Sequence, residues 1–230
     1  MRERIQLDEF AFYGRTLAEY TRFFDLDLAA LKGHSLLDCP AGAASFVAEA
    51  RAIGIQAVAI DPLFSESVEK LRANSEADIE SVVRKAQAVS HLFVWDYYKD
   101  PEDLRAARRM AAERFLADFP AGRSKGHYCA AKLPYLPYPE KTFDLVLSGH
   151  FLFTYSDILS YDFHLSALKE LVRVSRHEVR VYPVAGTDSK PYPRLVGLRR
   201  ELGASGVNSE LRRVPFEFQR GSNEMLALWS

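Results

Sequence analysis

The 230-residue chain has a net charge of −1, which leaves no global field to hold nucleic acid or an anionic membrane. Its 48% hydrophobic and 27% charged residues are ordinary for a soluble globular protein, and no apolar stretch approaches the roughly 18 to 20 residues a membrane span needs. Two cysteines, Cys39 and Cys129, are too few for a disulfide framework or a cysteine zinc site. They are expected as buried thiols in a cytoplasmic protein, since the opening "MRERIQLDEF" has no apolar secretory core.

The first thirty or so residues predict a helical segment, 1–32, with Leu17, Tyr20, Phe23 and Phe24 on one face. "GHSLLDCP" then reads as a short strand ending in Asp38, and "AASFVAEARAIG" as a helix stopped by Gly54. "IQAVAID" is a second strand, ending in Asp61. Strand, tight turn, helix and strand make one right-handed βαβ unit.

Over 64–125 the strand pattern vanishes, which predicts a helical insertion or cap. Ser75 and Asp78 suggest one helix start, and Asp100 with Pro101 another. Between the two helices lies "HLFVWDYY", with four large aromatics. The arginines at 105, 108, 109 and 114 interleave with acids, so a solvated helix face is expected rather than a nucleic-acid surface.

Alternation resumes with the strand "GHYCAAKL", a proline-stiffened loop, and the apolar strand "TFDLVLSGH", of the kind buried on both faces of a parallel sheet. Next come the helix "YDFHLSALKELVRVS", the strand "HEVRVYPV" and the helix "PRLVGLRRELGASG". "ELRRVPFEF" and "EMLALWS" predict a terminal antiparallel hairpin.

By itself "DCPAG" is compatible with a plain strand-to-helix turn. Asp61 adds to it, since an acid ending the next strand can accept from both ribose hydroxyls of an adenosine. Asp38 and Asp61 straddle the place where open α/β sheets bind ligands. In order and spacing, these features and "LPYPEKTFDLVLS" resemble the class I S-adenosylmethionine-dependent methyltransferases over residues 33–63 and 126–230. The resemblance implies one α/β domain over 1–230. Its sheet would be doubly wound, mostly parallel and seven-stranded, the Rossmann-like methyltransferase fold with a C-terminal antiparallel hairpin.

It also implies S-adenosyl-L-methionine as cofactor. Asp38 would open the loop, with Pro40, Ala41 and Gly42 as its turn and Gly42 as the closest backbone approach to the ligand. Asp61 would take the ribose, Pro62 and Leu63 would flank the adenine, and backbone near Leu133 would bind it. Ser148 and Gly149 leave the fourth strand at the site. Arg15 would pair with the methionine carboxylate and Tyr13 would lie near the sulfonium. His150 is the candidate base, with a role shaping the pocket as the other reading. Phe12, Phe151 and Tyr155 would line the acceptor pocket; the insertion's aromatics must pack on something, either as the insertion's own core or with Trp95 and Tyr98 roofing that pocket. The other histidines lack metal-site spacing, so no metal is expected. A small-molecule acceptor is the leading expectation. A protein or RNA methyltransferase and a non-catalytic protein of the same fold remain alternatives; the missing G-x-G-x-x-G argues against a nicotinamide enzyme.

Overall fold

Leu36 and Leu37 are adjacent in sequence and both fully buried, yet they belong to two different cores. Their strand, β1 (Ser35–Asp38), sends successive side chains to opposite faces of a sheet covered on both sides. The computed structural model describes residues 4–7 and 9–230. The other strands are β2 (Gln56–Ile60), β3 (Tyr128–Cys129), β4 (Phe143–Gly149), β5 (Ser175–Tyr182), β6 (Asn208–Arg213) and β7 (Glu224–Trp229). The sheet order is β3-β2-β1-β4-β5-β7-β6. β1 to β5 pair in parallel, whereas β7 lies antiparallel to both β5 and β6. The mostly parallel, doubly wound sheet and its terminal antiparallel strands are those expected from the sequence.

One face carries α1 (Leu17–Phe23), α2 (Phe46–Ala52), α3 (Val68–Ala88) and α4 (Pro101–Ser124). The other carries α5 (Tyr161–Val174) and α6 (Leu195–Ala204). In β4, Leu145 and Leu147 face the first core and Val146 the second. The N-terminal region forms less helix than expected. Among the described residues there, Leu17–Phe23 alone is α-helical, started by a capping box in which Thr16 and Glu19 satisfy each other's backbone N–H.

In the long helical segment, α3 begins at the cap Ser67 rather than at Ser75, which is buried inside the helix. α4 starts at the expected Asp100–Pro101. It packs against α2 and β3, so it forms the crossover from β2 to β3. Its arginines are not all solvated: Arg108 is 2% exposed. The link between β6 and β7 is longer than a tight hairpin, and it sends Phe216 and Phe218 back onto the aromatics of 93–98. Among the described residues, no helix is long and apolar enough to cross a membrane, and no group of His, Cys, Asp and Glu could hold a metal ion.

Candidate functional site

Between β1 and β4 the sheet order reverses, and a cavity of about 510 Å³ opens at the carboxyl ends of the strands there. Its floor is the turn after β1, Pro40 to Gly42, beside the turn after β2, Asp61 to Leu63. Gly42 has φ +57°. That left-handed turn aims its N–H at Asp61 Oδ2, 3.0 Å away, while Leu63 N–H donates to Oδ1 at 3.0 Å. These two bonds fix the carboxylate at the rim. Burial nevertheless raises its pKa from 3.8 to about 6 against the pull of both N–H groups.

The roof is the N-terminal segment. Ala11 N–H donates to Tyr155 Oη (2.9 Å), Phe12 N–H to Asp78 (2.7 Å), and Ser45 N–H to the Arg15 carbonyl (3.1 Å). Gly14 lies so close to the floor that a Cβ would sit 1.9 Å from the Ala43 carbonyl oxygen. A Cβ on Gly42 would meet the Tyr13 carbonyl oxygen at 2.8 Å. The chain's own roof therefore comes close to Gly42.

Tyr13, Arg15, Leu133, Gly149, His150, Phe12, Phe151 and Tyr155 all border this cavity. Asp38 and Ser148 do not. Both are fully buried behind it, and Asp38 Oδ2 accepts from Tyr20 Oη at 2.8 Å. Burial raises the Asp38 carboxyl well above its usual range, with Asp61 adding to the rise. It is a buried partner of Tyr20 rather than part of the cavity lining.

His150 leaves β4 with φ +52° and donates its backbone N–H to the Tyr182 carbonyl at 2.6 Å. Its ring packs edge-on to Phe23 and Tyr182, and its Nδ1 has no partner among the described residues. Burial, then the charges of Arg15 and Arg108, push its pKa well below 6.5. The ring is neutral at pH 7 and a weak base, because the same surroundings resist the proton a base must take.

Trp95 and Tyr98 are not at the cavity. Trp95 packs on Phe93 and Phe218 and donates Nε1–H to Ser90. Tyr98 is 2% exposed and donates to Glu19, which also accepts from Arg108 at 2.6 Å. These aromatics form a core between α1, α4 and the β6–β7 link, so Trp95 and Tyr98 do not roof the cavity as expected. The arrangement also brings in residues the sequence reading missed. Phe10, Leu159 and Phe163 join Phe151 in an aromatic and aliphatic wall. Glu19, Arg108 and Tyr98 form the buried ionic knot that holds the roof helix. Of these, only the Thr16-x-x-Glu19 capping pattern left a local signature.

No family model matches the chain. It is 25% identical over 225 residues to an uncharacterized protein of Methanocaldococcus jannaschii, covering 97% of this chain and 98% of that one. Among solved structures, it is similar to a SAM-dependent methyltransferase from Aquifex aeolicus (14% identity, 91% of this chain and 90% of that, TM-score 0.42). It is also similar to magnesium protoporphyrin IX methyltransferase from Synechocystis (14%, 88% and 74%, TM-score 0.43). A third is a TehB-like SAM-dependent methyltransferase from Corynebacterium glutamicum (15%, 88% and 82%, TM-score 0.44). By its strand order, its antiparallel β7 and the cavity at the β1–β4 reversal, the chain has the Rossmann-like fold of the class I S-adenosylmethionine-dependent methyltransferases.

Proposed function

We propose that the protein is a methyltransferase that binds S-adenosyl-L-methionine in the large cavity and acts on a small-molecule acceptor. The observation that carries this reading is the fixed carboxylate of Asp61 at the cavity rim, beside the Gly42 turn. Each carboxylate oxygen holds one backbone N–H and keeps a further lone pair for a ligand hydroxyl. Pro62 and Leu63 on one side and Leu133 on the other give the adenine apolar surfaces. Arg15 receives the methionine carboxylate, and Tyr13 lies beside it with its Oη 3.1 Å from the guanidinium.

The cofactor supplies an electrophilic methyl group on a sulfonium, so the chain's part is positioning and the exclusion of water. The roof of residues 10–16 excludes solvent through backbone bonds to Tyr155, Asp78 and Ser45. Gly149 borders the cavity at the end of β4. His150 shapes the boundary as a neutral ring, which suits an acceptor that needs no strong base.

Calorimetric titration with S-adenosylmethionine and separately with NAD tests the reading. Binding of the first alone is expected. Binding of NAD in its place would overturn it.

A further inference from the structure

Behind the roof lies a second cavity, of about 80 Å³. By the same measure, where a single water needs roughly 10–15 Å³, it has room for about six waters or one substituted ring. Tyr13, Arg15, His150 and Tyr155 border both cavities and form the boundary between them. Four aromatics from three separate parts of the chain, Phe93, Tyr182, Phe216 and Phe218, share its remaining walls with aliphatic side chains such as Val82 and Leu104.

The polar groups around this small space are unusual. Four side chains that line it carry a sealed atom with no hydrogen-bond partner among the described residues. They are Arg15 Nε, Arg108 Nε, His150 Nδ1 and Ser222 Oγ. Arg108 and Ser222 are each 2% exposed. Buried polar atoms left unpaired are costly, so four among the residues of one cavity call for an occupant that satisfies them. The two arginine nitrogens can only donate, and the serine hydroxyl can donate, so the occupant must present hydrogen-bond acceptors.

Charge narrows the class further. Among the described residues lining this cavity there is no carboxylate. Arg108 is matched by Glu19, whereas among the described residues the Arg15 side chain has only the Tyr13 hydroxyl as a hydrogen-bond partner. Arg15 has five N–H groups, enough to serve the first cavity through its terminal nitrogens and the second through Nε. An anion is therefore favoured over a neutral carbonyl.

From this we infer that the second cavity is the acceptor's pocket and takes a compact planar carboxylic acid. The aromatic walls hold its ring, and Arg15, Arg108 and Ser222 receive its carboxylate. The assignment as acceptor pocket rests on the cofactor reading of the first cavity.

Benzoate is the probe, with benzamide as its neutral counterpart of the same shape. The full chain is first titrated with S-adenosylhomocysteine, and the complex is then titrated with each probe. Benzoate is expected to bind about tenfold or more tightly than benzamide, as for hydrogen bonds to a charged group. Ser222→Ala removes an unpaired hydroxyl, so the fold tolerates it. It is expected to weaken benzoate about tenfold while S-adenosylhomocysteine affinity stays unchanged. Equal binding of the two probes, or unaltered benzoate affinity in Ser222→Ala, would overturn the pocket while leaving the cofactor site standing. Failure of S-adenosylhomocysteine to bind would instead sink the cofactor reading, and benzoate and benzamide titrated into the free chain then decide the cavity by the same comparison.

Discussion

The backbone N–H of Gly42 donates to Asp61 Oδ2 across 3.0 Å, joining the turn after β1 to the turn after β2. One carboxylate thus ties together two turns of the cavity floor and borders the cavity itself. Asp61→Ala is expected to weaken S-adenosylmethionine binding by about 1.5–3 kcal/mol, the range for hydrogen bonds to a charged group. Calorimetry checks it, and wild-type affinity in the folded variant would remove Asp61 from the ribose site.

The raised pKa of Asp61, about 6 against an ordinary 3.8, has a consequence for stability. Between about pH 4 and 6 the folded chain keeps a proton on this carboxyl that the unfolded chain has released. This group therefore lowers stability as pH rises through the window, by about 3 kcal/mol in all. An asparagine side chain cannot titrate, so Asp61→Asn should gain on the wild type by up to that amount between pH 4 and 7. Urea unfolding at both pH values measures the gap, and a constant gap would contradict the assignment. Cofactor affinity of the wild type should also climb across the window, since hydroxyl donors prefer the ionised carboxylate.

His150 contributes with the opposite sign. Its folded pKa is depressed, so below about pH 6.5 the unfolded chain takes up a proton that the folded chain refuses. The contribution is fully present above pH 6.5 and is lost as pH falls toward the depressed value. His150→Asn should lack this acid-side loss in urea unfolding. In the wild type, NMR is expected to show a ring that stays neutral as pH falls through the ordinary histidine midpoint of about 6.5.

Arg108 and Glu19 are a buried pair at 2.6 Å, with side chains 3% and 1% exposed. Arg108→Leu leaves the Glu19 carboxylate without its countercharge and should cost about 3–5 kcal/mol. The double replacement Glu19→Leu with Arg108→Leu removes both charges and is expected to recover much of that loss. Denaturant unfolding of the three proteins decides it. A double variant no more stable than Arg108→Leu would mean that the pair is not the source of the cost.

Gly14 tests the roof. Its Cβ would fall 1.9 Å from the Ala43 carbonyl oxygen, so Gly14→Ala must lift residues 12–16 off the floor. The expected result is faster proteolysis of the N-terminal segment and at least about tenfold weaker cofactor binding, since fixed geometry is lost. Gly203→Ala is the control, with open space around its Cβ in a helix. It should stabilise by about 0.5–1 kcal/mol and leave binding alone.

Local signals were enough for much of the architecture. Alternation of apolar strands with amphipathic helices, Gly54 after α2, and Asp100–Pro101 before α4 are encoded by neighbours a few residues apart. Asp61 was legible for the same reason: a strand end and its acid lie together in the chain. Trp95 and Tyr98 were not, because four aromatics in six residues say only that something must cover them. Their partners, Glu19, Phe216 and Phe218, lie far away in sequence. The same holds for the N-terminal roof. Nothing local in "FYGR" marks Gly14 as the point where two backbones touch, and nothing around Arg108 marks it as the arginine of α4 that is buried. Periodicity and turn chemistry determine which elements form. Which side chains meet over the carboxyl ends of the strands is decided by packing between distant segments, where burial changes both the partner and the charge state of each group.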